Sequence, residues 1–279
     1  MKNALVLLFW IAGLAVSYSQ NSWMTLDLDD AETIAQHQGQ FILLRFTAEW
    51  CGPCRAMERE SWSQPAVQTI QGEFVSLNID LQRQPGLADQ FGVSAIPTLV
   101  ILDGFGNEYW RYQGYLTQAQ LIEEIGGFPQ NMSSIYQAEE AVKEADADYR
   151  THFRLGDLYQ RYSYQAGATV ADQFLSQSTS ALRKSKRLLR RDEAAPQGLS
   201  QRIELLLIEN QLLRGRYVRS LQDLGELRQE VETSNQAIYN YLLTMAYRQA
   251  GNTDKAREHY QELQEADNNQ RWLVRLAKW

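Results

Sequence analysis

Cysteine occurs only twice in the 279 residues, and histidine only three times. Two cysteines cannot supply the several bridges on which small exported domains rely. The loop closed by residues three apart also removes too little chain entropy to staple a fold. A structural zinc site usually needs four ligands, and His37, His152 and His259 add no second pair at useful spacing. Covalent haem attachment requires a histidine directly after the second cysteine, where this chain has Arg55. No metal and no resident cofactor is therefore expected. Lysine is missing altogether from residues 22–128, which carry 5 arginines against 14 carboxylates, a formal balance of −9. Phosphate binding needs clustered cations, so this acidic half argues against nucleic acid as a partner. After the first twenty residues no apolar stretch approaches the ~20 needed to cross a bilayer.

What is present starts with Lys2, an apolar run from Ala4 to Val16, and the small residues Ser17 and Ser19. That order predicts a secretory signal peptide over residues 1–19. The run is too short for a spanning anchor. The protein is expected to be exported, to the periplasm first and to the medium second. A length of 279 residues with 44% hydrophobic content predicts more than one core. Residues 22–128 alternate strand and helix signals: strands near Met24 to Leu28, Phe41 to Phe46, Phe74 to Ile79, Thr98 to Leu102 and Glu108 to Tyr112. Helices are expected near Asp30 to Gln38, Arg55 to Glu60, Pro65 to Ile70, Gly86 to Phe91 and Thr117 to Ile125. The fold class is α/β, built around one central sheet.

The two cysteines form the motif Cys51-Gly52-Pro53-Cys54 at the start of a helix. Unpaired N–H groups and the positive dipole end lower the pKa of a thiol placed there, and the thiolate is the attacking species. Cys51 is thus the expected nucleophile, and the more exposed of the two thiols. Cys54, one turn on, is the expected resolving thiol. Pro53 costs no hydrogen bond in the first turn, and Gly52 allows a partner's backbone to come close.

The stretch Phe46-Thr47-Ala48-Glu49-Trp50-Cys51-Gly52-Pro53-Cys54-Arg55 closely resembles the thioredoxin family. The resemblance extends through Asn78-Ile79-Asp80, Gly92-Val93, Ile96-Pro97-Thr98 and Gly114, over about 105 residues. The segment from Glu60 to Val67 is more similar to exported thioredoxin-like domains of the thiol:disulfide interchange type than to cytosolic thioredoxin. The resemblance implies a thiol:disulfide oxidoreductase acting on protein thiols or disulfides, with a second protein as redox donor or acceptor. It implies a cis bond before Pro97 that sets the Ile96 backbone beside Cys51, to pair with an extended substrate segment. Trp50 is expected to cover the cysteines on one side. The family's buried aspartate and its partner lysine are replaced by Arg45 and Ser76. Glu49 is the nearest carboxylate in sequence to stand in as a general base, and Arg45 would favour thiolates and make the pair more oxidising. The family favours reduction; the compartment and Arg45 favour oxidation.

From Ser133 onward strand signals cease. Residues 129–279 carry 21 basic against 20 acidic side chains, and the dense run from Arg183 to Arg191 reads as a solvated helix face. Around Ala237 to Asn269, the residues Leu243, Tyr247, Gly251, Ala256, Tyr260 and Leu263 resemble a tetratricopeptide repeat. A 36-residue shift lays Leu207, Gly215, Leu224 and Leu227 under Leu243, Gly251, Tyr260 and Leu263, and a degenerate unit starts near Tyr149. Residues 133–279 are thus expected to form an all-α tetratricopeptide-like domain, capped by Trp272, Leu276 and Trp279. Such helix pairs stack into a short solenoid that can hold a protein partner. The alternative to an enzyme is an envelope adaptor, with function in the helical domain and the cysteines as a redox switch.

Overall fold

In this computed structural model, which describes residues 23–266, helix α1 (Leu28–Gln38) opens behind Asp27, with Asp29 and Asp30 in its first turn. Carboxylates there complement the free N–H groups and the dipole. The helix therefore begins at Leu28, and the strand expected over Met24 to Leu28 shrinks to a single parallel bridge between Met24 and Leu77. Strand β1 (Phe41–Thr47) follows, then α2 (Gly52–Met57), a π-helical turn over Glu58–Trp62 and α3 (Pro65–Gln71). The remaining elements of the first half are β2 (Phe74–Asp80), α4 (Pro85–Gln90), β3 (Thr98–Leu102), β4 (Glu108–Gln113) and α5 (Gln118–Ile125).

The sheet order is β2-β1-β3-β4, with β1 parallel to β2 and antiparallel to β3. This is a thioredoxin-fold α/β sheet. Strand β1 is central, and alternation divides its side chains between two cores. Ile42, Leu44 and Phe46 pack with Ala31 and Ala35 of α1 and Ala88 of α4. Phe41 and Leu43 face Met57, Trp62, Leu121 and Ile125 on the other side. Arg45 and Thr47 continue that second face toward the cysteine motif.

The second half is helical: α6 (Ser133–Ala141), α7 (Tyr149–Ser163), α8 (Ala168–Leu189), α9 (Leu199–Leu213), α10 (Tyr217–Leu227), α11 (Gln236–Gln249) and α12 (Thr253–Ala266). Two turns repeat one geometry 36 residues apart. Gly215 ends α9 at φ 74° and Gly251 ends α11 at φ 73°. The following N–H groups bond back in the same pattern, Arg216 to Gln211 at 3.0 Å and Asn252 to Tyr247 at 2.9 Å. Only glycine takes this left-handed position without strain. Leu205, Leu206, Leu224, Leu242 and Leu263 fill the core between these pairs. The expected signal segment and the capping residues Trp272, Leu276 and Trp279 lie outside the described residues.

The two halves share apolar packing. Phe41, at the start of β1, meets Phe128 at 5.1 Å and Phe174 of α8 at 6.4 Å between ring centroids, and Tyr109 of β4 meets Phe174 at 5.4 Å. Backbone closes the same seam: Gly167 N–H donates to the Gly127 carbonyl at 2.7 Å. A Cβ on Gly167 would lie 2.9 Å from the Gly127 Cα, so close approach requires both glycines. Tyr136 of α6 adds a hydroxyl that donates to Gln40 O at 2.8 Å and accepts from Gly104 N–H at 2.9 Å.

Candidate active site

Strand β1 delivers the chain through Thr47 and Ala48 to Cys51, which caps the N-terminus of α2 in an extended conformation. Cys51 and Cys54 are joined as a disulfide, with Cα atoms 5.3 Å apart. The Cys54 N–H donates to Cys51 Sγ at 3.1 Å, so one free amide of the helix start is aimed at that sulfur. Any negative charge left on Cys51 after reduction would be held by the same amide and by the dipole. Pro53 occupies the first turn without wasting a donor.

Exposure does not separate the two cysteines as the sequence implies. In the disulfide form Cys51 is 3% exposed and Cys54 8%. Ala48 and Ile96 pack against the pair. The Ile96–Pro97 bond is cis, and the Ile96 carbonyl oxygen lies 3.8 Å from Cys51 Sγ. Gly114 N–H donates to the Pro97 carbonyl at 2.8 Å, tying this loop to the end of β4. Trp50 does not cover the sulfurs; it stands 65% exposed. Gly52 and Pro53 are also exposed, and a Cβ built on Gly52 meets nothing within 4 Å. The motif thus presents an open rim around a closed disulfide.

The charged residues near the motif are engaged elsewhere. Glu49 is exposed, its carboxylate 4.0 Å from the Arg83 guanidinium, and its carbonyl accepts from Arg55. Arg45 lies on the α2 side of β1 with its side chain only 13% exposed. It donates to Asn78 Oδ1 at 2.8 Å, pairs with Glu58, and sits 4.1 Å over the Trp23 ring. Burial pulls its pKa down, and Glu58 pushes it back up. Ser76, where the lysine would stand, is buried and donates to the Gln71 carbonyl at 3.2 Å. The pair missing at Arg45 and Ser76 is thus replaced by a different pair, Arg45 with Glu58. Sequence reasoning missed Glu58, although its spacing four residues after Cys54 puts it on the same helical face one turn on.

The thioredoxin-like domain family matches residues 28–127. Thioredoxin of Chlamydia muridarum is 34% identical over 87 residues, covering 30% of this chain and 78% of that protein. The chain belongs to the thioredoxin family. Other family relatives are longer: chloroplastic thioredoxin Y2 of Arabidopsis thaliana is 29% identical over 94 residues, 34% of this chain and 54% of the relative. The thiol:disulfide interchange protein DsbD of Photorhabdus laumondii is 25% identical over 115 residues, 39% of this chain but 19% of its own length. The chain thus spans about half of the first of these two relatives and less of the second. In the family frame, Cys51, Cys54 and the Ile96–Pro97 loop fall together at one end of the sheet, while Glu49 and Arg45 face charged partners of their own.

Proposed function

We propose that this protein is a thiol:disulfide oxidoreductase of the cell envelope, acting on protein disulfides through Cys51-Gly52-Pro53-Cys54, with its helical half positioning a protein partner. The observation that carries the reading is the Cys51–Cys54 disulfide at the start of α2, with the Ile96 carbonyl beside Cys51 and an exposed rim of Trp50, Gly52 and Pro53. In the reductive direction the Cys51 thiolate attacks a substrate disulfide, a mixed disulfide forms, and one substrate thiolate leaves. The Cys54 thiolate then attacks Cys51 Sγ, releases the second substrate thiolate and closes Cys51–Cys54. The two electrons passed to the substrate are restored by a dithiol protein that reduces the pair. The Ile96 N–H takes part in no hydrogen bond among the described residues, which supports pairing with an extended substrate strand. The apolar run behind Lys2 supports export.

The test is a trap in the full chain. Cys54→Ser should leave Cys51 able to attack and unable to be released, so mixed disulfides with envelope proteins accumulate and disappear in Cys51→Ser with Cys54→Ser. Insulin reduction with a dithiol donor should be lost in both variants. Absence of adducts together with unchanged partner binding would overturn the enzymatic reading in favour of an adaptor.

A further inference from the structure

An open groove of about 700 Å³ runs along α8 in the helical half, far in sequence from the cysteine motif. Arg183, Lys184 and Arg187 line it from α8, Arg216 from the turn after α9, and His152 from α7. No carboxylate pairs with Arg183, Lys184, Arg187 or Arg216 among the described residues, whereas nearby cations are matched: Lys186 pairs with Glu204, and Arg214 with Asp172 at 2.6 Å. The single carboxylate of the lining, Glu139, is bound by the Tyr159 hydroxyl at 2.6 Å. The positive field reaches His152, whose pKa is lowered by burial first and by Lys184 next, with Asp148 opposing the fall and Arg187 adding a little to it. Leu155 and Ala181 give the floor an apolar strip.

We infer that this groove binds a short acidic segment of a partner protein, its carboxylates meeting Arg183, Lys184, Arg187 and Arg216 and its aliphatic side chains lying on Leu155 and Ala181. From Ser176 to Arg187 the wall measures on the order of 16 Å at the helical rise, which suits about five residues of extended chain. A longer polyanion such as nucleic acid would continue past the groove beside a half carrying −9 over residues 22–128. A short acidic segment ends before that repulsion matters. The inference deepens the proposal that the helical half holds a protein partner, and it needs no thiol chemistry, so the two can fail separately.

The experiment uses the full chain at low salt. Binding of a labelled Glu/Leu peptide is measured by fluorescence anisotropy, beside its Gln/Leu counterpart and an oligothymidylate of equal charge. The Glu/Leu peptide is expected to bind, the Gln/Leu peptide at least about tenfold more weakly, and rising salt to weaken the first selectively. The exposed double variant Arg183→Glu with Arg187→Glu should lose at least about tenfold in affinity, while exchange with a small aromatic disulfide is unchanged. Equal binding of the two peptides, indifference to the double variant, or tighter binding of the oligonucleotide would each overturn the inference. Loss of disulfide exchange in Cys51→Ser with peptide binding intact would leave it standing.

Discussion

Arg45 shows how one residue can be read correctly for position and missed for partnership. Its place six residues before Cys51 sets it on the α2 face of β1, which strand alternation makes legible. Its partner was not legible, because Glu58 lies 13 positions on, beyond the turn and the motif, and is brought back only by the helix. The pairing has a consequence for redox poise. Glu58→Gln leaves the Arg45 cation unmatched, which favours thiolates at the motif. The dithiolate form should gain relative to the disulfide, so the pair should become more oxidising in a glutathione titration. Arg45→Leu leaves Glu58 alone and should move the potential the other way. No shift in either variant would separate this pair from the cysteines. Glu209 offers a second test at the same scale. It is fully buried in α9, accepts from the Tyr164 hydroxyl at 2.5 Å, and Tyr164 meets the Tyr241 hydroxyl at 3.1 Å. Burial raises its pKa to about 7, opposed by Tyr164 and by Arg202, with Asp157 adding to the rise. The folded state then binds this proton more tightly than the unfolded one, so the Glu209 contribution to stability is greatest below about 4.5 and is lost as pH rises toward 7. Glu209→Gln should flatten that fall in urea titrations and raise stability at pH 8, by on the order of 2 kcal/mol.

Elements of the first half follow the sequence closely because each is marked at both ends. Thr98 to Leu102 is the strand expected, and β1, β2 and β4 differ by one residue at their ends. The capping box of Thr117 with Gln120 fixes the start of α5 as its sequence implies. Met24 to Leu28 failed because apolar alternation was outweighed by three aspartates that start α1. The helix expected over Arg55 to Glu60 instead passes at Glu58 into a π-helical turn that runs to Trp62. It carries Trp62 into the core and lets the buried Ser61 hydroxyl donate to the Leu116 carbonyl at 2.7 Å. Nothing in a one-dimensional pattern marks such a turn, which sets Trp62 in one core with Leu121 and Ile125 of α5. In the helical half the repeated glycines were legible as punctuation, and their matching φ values give that signal a physical basis. Gly251→Ala should cost roughly 1 kcal/mol through left-handed strain alone, because a Cβ there meets no neighbour. Gly215→Ala should cost the same, and thermal denaturation of the two variants should show equal drops; unequal drops would mean the two turns are not equivalent.

On the scale of the whole molecule, the boundary expected between residues 128 and 133 gives no sign of the aromatic packing that crosses it. Phe41, Phe128 and Phe174 are far apart in sequence, and each reads there simply as a core residue of its own half. Together with the Gly127–Gly167 contact they make the two halves one apolar body at the seam. Calorimetry of the full chain should therefore show one main transition. Phe174→Ala removes the central ring and should cost about 3–5 kcal/mol, splitting the transition in two as the halves unfold separately. A single unshifted transition would mean that the seam contributes little to stability.

The seam joins the first residue of β1, and the disulfide follows its last. Across the strand's seven residues that puts the joint on the order of 20 Å from the sulfurs, at the opposite end of the sheet. With the halves joined there, a client held by the helical half, as proposed above, would be gripped at a set distance from Cys51. A cysteine close in sequence to the gripped segment would be held short of the nucleophile, while one farther along the client's chain would arrive at high local concentration. Chain length between grip and sulfur, more than the residues flanking the sulfur, would then sort one client from another.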